Sequence, residues 1–284
     1  MLKTKMFSIF ILYLFSQACS RSELAMNWAD GFITNYIDQY FDMNSLQLQL
    51  LEKSLDEDLL KVRKIVFPQL ADKLQKINLD IEGRILFNES LVSSYATDFK
   101  GIFKSGLIIF EPSAENFVNQ LSASQVQSFK NKFDKKTKEL EKVAGNILGA
   151  RKKRYDNLKT QLESWIGTLD SDQKADIEKY ADANPFPLEE QILNRNKLAA
   201  EFVKVFPDKN KRTKFIHELF YNYESLRAPQ YAKLMDEGRH KDFEIIAVIL
   251  NKMTSYQKKT LARKLFDRAE QVKKMAKNTK SDLF

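Results

Sequence analysis

The sequence predicts an all-α fold: an irregular bundle of about eight to ten helices, several of them long, with no sheet. Three observations carry that expectation. Only 8 Gly and 6 Pro punctuate 284 residues, so elements run long before a breaker stops them. Apolar residues recur at three- and four-residue spacing along most of the chain, and no stretch sustains period-two alternation. One helix-start pattern occurs four times.

The first element reads as an address rather than as part of the fold. Lys3 and Lys5 precede an apolar run from Met6 to Phe15, interrupted only by Ser8. A positive start, a short apolar stretch and a small-residue cleavage site define an export signal. The run is too short to span a bilayer, which takes about 20 apolar residues. Ser16, Gln17 and Ala18 then lead to Cys19, the single cysteine of the chain. A lone Cys directly after a small residue is the pattern of a lipoprotein signal. The thiol takes a lipid, the chain is cut before Cys19, and the new amine is acylated. Ser16 stands where such signals usually carry Leu, and Ser16-Gln17-Ala18 also fits a plain secretory cleavage site. That alternative leaves a free thiol in an oxidising compartment, a liability that lipidation removes. Ser20 follows, with no Asp to signal inner-membrane retention, so the expected place is the periplasmic face of the outer membrane. Removal of residues 1–18, with Lys3 and Lys5, leaves 266 residues and a formal charge of +6 in place of +8. Residues 19–284 are expected to form a single elongated all-helical domain, or two helical lobes divided near 167–187. With no further cysteine, burial alone holds it together.

The helices follow in order. From Glu23 to Phe41, Trp28, Phe32, Tyr36 and Tyr40 recur every fourth residue beside Ala29, Ile33, Ile37 and Phe41. Such a stripe normally faces other helices. Leu48, Leu51, Leu55, Leu59, Val62 and Val66 continue the pattern to Pro68, where the helix is expected to end or kink. Leu70, Leu74 and Ile77 take it up again. Residues 82–104 carry Leu86, Val92, Tyr95, Phe99, Ile102 and Phe103, and Gly106 and Pro112 are read as a bend. The longest element is expected from Ser122 towards Trp165, about 60 Å at ~1.5 Å per residue, softened at Gly145 and Gly149. Shorter helices are expected around 171–183, 188–206, 209–226 and 240–252, and a last one over 255–278.

Four of these helices open on one pattern: Met43-Asn44-Ser45-Leu46-Gln47, Leu121-Ser122-Ala123-Ser124-Gln125, Leu169-Asp170-Ser171-Asp172-Gln173 and Met253-Thr254-Ser255-Tyr256-Gln257. Each has a large apolar residue, a capping residue, and Gln three further on. The capping side chain accepts an orphan N–H of the first turn, and the Gln reaches back to the cap's own N–H. The copies are 78, 48 and 84 residues apart, which is no solenoid period. The pattern also resembles the Leu-Thr-x-x-Gln signature of small periplasmic helical chaperones of the Spy type.

Little here points to catalysis. His217 and His240 are the only histidines, and neither sits in a metal-binding spacing. Glu189-Glu190 and Asp56-Glu57-Asp58 fall on helix faces, while Asp170 and Asp172 open a helix, where acid suits the dipole. No nucleophile elbow or phosphate-binding Gly loop occurs. The expectation is therefore no enzyme, no cofactor and no metal. The basic runs are denser. Between Lys130 and Lys159 eleven Lys and Arg face four acids, and between Lys258 and Lys280 nine face two. Arg151, Lys152, Lys153 and Arg154 are consecutive, span a full helical turn, and form the candidate polyanion-binding site. At least three should be exposed, with Ile147, Leu158 and Leu162 packed inward. An export signal argues against nucleic acid, which leaves an anionic membrane surface or envelope polymer as the acidic partner.

Over roughly residues 19–275 the chain resembles a proteobacterial lipoprotein family of unknown function (domain of unknown function 6279). The matching segments are Tyr36-Ile37-Asp38-Gln39-Tyr40-Phe41-Asp42, Pro68-Gln69-Leu70, Leu162-Glu163-Ser164-Trp165-Ile166-Gly167-Thr168-Leu169, and Asn194-Arg195-Asn196-Lys197. It departs at Ser16 and at Lys61-Val62-Arg63-Lys64, where the family tends to carry a Trp-His-Arg-type run. The resemblance implies an all-helical, membrane-anchored envelope protein and no particular activity. The expected role is non-catalytic binding or structure in the periplasm, with membrane contact through Cys19 and an envelope protein or anionic polymer as partner. The alternative is a chaperone-like binder of unfolded or secreted polypeptides.

Overall fold

A computed structural model describes residues 29–83, 86–144 and 146–277. Among them are eleven α-helices and no strand: α1 Ala29–Phe41, α2 Ser45–Glu82, α3 Glu89–Ile109, α4 Glu111–Asn119, α5 Ala123–Ala144, α6 Ile147–Ile166, α7 Ser171–Ala183, α8 Leu188–Val205, α9 Lys209–Tyr221, α10 Pro229–Asn251 and α11 Ser255–Lys277. A short 3₁₀ turn, Tyr223–Leu226, joins α9 to α10. No helix of the described residues is long and apolar enough to cross a membrane.

The all-α expectation holds, with differences that have local causes. α2 runs for 38 residues straight through Pro68. Proline costs one ladder bond there, but Val66, Phe67, Leu70 and Ala71 are all buried around it. Their packing holds the helix on both sides. The long element expected over 122–165 divides into α5 and α6. Asn146 caps the second piece, its Oδ1 accepting from Gly149 N at 2.9 Å. Gly106 is no bend. It lies inside α3, where a Cβ would stand 3.3 Å from Val66 of α2, so glycine is what lets the two helices approach. The break comes four residues later, at Phe110, with Pro112 in the first turn of α4. α10 begins at Pro229 rather than near 240, because proline in the first turn starts a helix cheaply. Phe32 is exposed, so the aromatic stripe of α1 is narrower than expected.

The frame is α2, against which α11 lies along its length, with α1 and α3 alongside. α10 packs on α3, α6 on α11 and α7, and α5 on α8. One apolar cluster runs through the whole assembly, from Ala29 of α1 to Met275 of α11. A small satellite of Phe186, Leu188 and Ile192 stands beside it.

Candidate binding cavities

All four capping boxes form, and they meet in pairs. Asn44 and Gln47 exchange bonds (Gln47 N to Asn44 Oδ1, 2.9 Å; Asn44 N to Gln47 Oε1, 3.1 Å). Ser122 with Gln125, Asp170 with Gln173, and Thr254 with Gln257 do the same. The Gln side chains then clasp one another. Gln47 Nε2 donates to Gln125 Oε1 at 3.2 Å and Gln125 Nε2 returns the bond at 2.7 Å. Gln173 and Gln257 make the same exchange at 3.0 and 2.9 Å. Each Nε2 also donates to the carbonyl two residues before the other box's cap: Gln120 O, Asp42 O, Lys252 O and Thr168 O. The two clasps repeat one local two-fold arrangement. The apolar residues ahead of the caps, Met43, Leu121, Leu169 and Met253, are all buried. These clasps tie α2 to α5 and α7 to α11; α5 walls one of the two cavities, and α2 and α11 wall the other.

The first cavity, about 420 Å³, lies among α1, α4, α5, α8 and α9. Its wall is aromatic. Phe41 stacks on Phe129 (centroids 5.0 Å apart), and Phe202 meets Phe129 edge-on at 5.3 Å. Arg195 stands in this wall, its guanidinium 3.8 Å from the Phe133 centroid and its Nε donating to Thr137 Oγ1 at 3.2 Å. Burial pushes that guanidinium below its ordinary pKa.

The second cavity, about 370 Å³, lies among α2, α3, α6, α10 and α11. Leu70, Leu74, Phe99, Leu162, Ile246 and Leu265 are typical of its lining. Both volumes fall in the range of small-ligand sites, about 300–1,000 Å³. Arg268 lines the second cavity while only 7% exposed. Its guanidinium stacks 3.6 Å from the Trp165 centroid, and Nη2 donates to Ser164 O at 3.2 Å. No carboxylate among the described residues pairs with it. Burial pushes its pKa down to about 10. Lys264 lies one turn away, its Nζ donating to Ser164 O at 2.8 Å. Burial, then the Arg268 and Arg263 charges, hold that ammonium below its ordinary value. The two cations thus meet the C-terminal carbonyls of α6, the negative end of its dipole.

Cys19, residues 1–18, expected to form an export signal, and Trp28 lie outside the described residues. Of the basic turn, Lys152 and Lys153 are exposed, Arg151 is partly so, and Arg154 turns inward. Arg154 Nη2 donates to Asp242 Oδ1 at 2.6 Å and to Tyr180 Oη at 3.1 Å, and Tyr180 Oη donates to the same carboxylate oxygen at 2.7 Å. Only two of the four are exposed, so the expectation of at least three fails: Arg151 is half-buried, and Arg154 is drawn to the half-buried Asp242 of α10. Leu158 and Leu162 pack inward as expected, but Ile147 is 56% exposed, since it opens α6 where the long helix breaks. His217 pairs with Glu111 (2.8 Å) and His240 with Glu89 (2.9 Å), each on an exposed seam between helices. Neither lines the two cavities. Asp58 is 2% exposed and bonded to Ser113 and Lys61, a buried structural acid. Among the described residues no group of three His, Cys, Asp or Glu gathers as a metal site. Sequence reading missed the cavities. Arg195 was visible only within the Asn194–Lys197 segment and Arg268 only as a member of a basic run, without a signal that they face inward.

A family model described as a family of unknown function (DUF6279) matches residues 39–232, about two thirds of the chain. The match takes in the Trp165 and Asn194–Lys197 segments; Cys19 precedes it and Arg268 follows it. No curated protein and no solved structure matches.

Proposed function

We propose, from the premise that the chain belongs to this family of unknown function, that it is a non-catalytic binding protein of the cell envelope. Lipid on Cys19 holds it at the periplasmic face of the outer membrane, and its helical scaffold receives another envelope component. One observation carries the binding reading: two apolar cavities, each walled by helices distant in sequence and each with one arginine in its wall, Arg195 half-buried and Arg268 buried. The position of His217 and His240 on separate exposed seams, away from those cavities, supports a role without catalysis. The anchor is supported by the signal pattern ending at Cys19. Lys152 and Lys153, exposed on α6, favour a supplementary hold on an acidic surface that weakens as salt screens it.

Two measurements test this. Mass spectrometry of the native N-terminus should find a diacylglyceryl thioether on Cys19; an unmodified thiol refutes the anchor. A photo-crosslinker at Leu140, in the wall of the first cavity, should capture a specific envelope component in intact cells. Equal capture from exposed Glu57 contradicts binding at the cavity.

The chaperone-like alternative is favoured by the first cavity itself, whose wall combines several Phe with Arg195. Under that reading the purified protein suppresses aggregation of a reduced, unfolding client, and Arg195→Leu weakens the effect.

A further inference from the structure

We infer that the second cavity is a binding site for a long-chain fatty carboxylate, its hydrocarbon tail lying between α2, α3 and α6 and its head on Arg268. The inference deepens the binding reading above and rests on it. The lining decides the class of ligand. Tyr95, Gln161 and Arg268 are the polar residues of the wall, and the Tyr95 hydroxyl is already spent on Asp80. A ligand therefore finds apolar surface along most of its length and one cationic place. That is the demand of a hydrocarbon with a single anionic end, not of a sugar, nucleotide or peptide, whose polar groups would go unpaired.

Arg268 supplies the cationic end. It is more than nine-tenths buried, and one of the guanidinium's five N–H donors is used on Ser164 O. A buried cation without an acid is costly and is stabilised by an anion that reaches it. The planar fork fits a carboxylate through two parallel N–H bonds. Trp165 backs the guanidinium and holds its plane, and Lys264, one turn before it on α11, adds positive charge at the same end. Gln161, one turn before Trp165 on α6, is exposed, and Trp165, Phe99 and Phe103 are partly so, which brings this end of the cavity to the protein surface.

The test is calorimetric titration of oleate into the full chain carrying Cys19→Ser, which keeps the chain's own lipid out of the measurement. The expected result is saturable binding of one oleate per chain. Arg268→Leu should weaken it at least tenfold, and uncharged oleyl alcohol should bind equally to both proteins. Arg268→Leu removes a buried charge and is expected to fold; circular dichroism checks this. Ala96→Phe, which fills the cavity from α3, should also abolish binding. Absence of saturable binding overturns the inference. So does equal oleate affinity in Arg268→Leu, which would leave Arg268 a cap on α6 alone. Failure here together with specific crosslinking at Leu140 removes the fatty-acid assignment and leaves the binding reading standing.

Discussion

At the residue scale, the glutamines of the capping boxes do two jobs. Gln173 is fully buried and Gln257 is 3% exposed. Each satisfies its own cap, its partner amide and a loop carbonyl. Replacing one by Leu strands the other's amide in a dry place, which costs about 1–3 kcal/mol. Replacing both removes the stranded pair. Urea unfolding of Gln173→Leu, Gln257→Leu and the double variant should give a double loss well below the sum. Additivity within about 0.5 kcal/mol would show that the clasp carries no coupling. The boxes were legible in the sequence because capping is local: four residues suffice. Their pairing was not, because it joins positions 78 and 84 residues apart. Tyr180 offers a second residue-scale check. Burial, then Asp242, raises its pKa from 10.0 to about 12. The native protein keeps that proton after the unfolded chain has released it, so stability falls as pH rises from about 10 through 12. Melting temperatures over that window should fall less steeply in Tyr180→Phe than in the parent; identical slopes would contradict the assignment.

At the scale of elements, the helix starts marked by capping boxes were legible and the breaks were not. Asp170 is the cap of α7, with Gln173 N donating to its Oδ1 at 2.8 Å. Asp170→Ala should therefore destabilise by about 1 kcal/mol in chemical denaturation. Pro68 was read as a stop because local chemistry argues so. α2 overrides it, since the buried residues on either side gain more from continuing than one missing bond costs. Pro68 itself is exposed. Pro68→Ala restores the N–H without disturbing the core and should stabilise by roughly 1–3 kcal/mol; a loss of stability would mean that the proline shapes α2 against α11. The division of α5 from α6 was hidden for the opposite reason. The apolar spacing runs on through 140–158, and only Asn146, a capping residue in mid-pattern, marks the restart.

At the scale of the molecule, the basic residues divide by where they face. Lys152 and Lys153 remain on the surface, whereas Arg154, Arg195, Lys264 and Arg268 are drawn towards acids, rings and helix ends. Composition could show the charge but not its direction, because direction depends on which helices pack together. The second cavity depends on the same long-range packing: α2, α3 and α6 meet α10 and α11 from the far end of the chain. A ligand held there binds only the native state. At 100 times its Kd it stabilises the fold by about 2.7 kcal/mol.

Native mass spectrometry of the full chain, isolated from its own cell envelope, tests the fatty-carboxylate site most directly. The expected spectrum carries one extra mass of a long-chain fatty acid per chain, released on denaturation and absent from Arg268→Leu. A protein bearing only covalent groups, or the same releasable mass on Arg268→Leu, would contradict it.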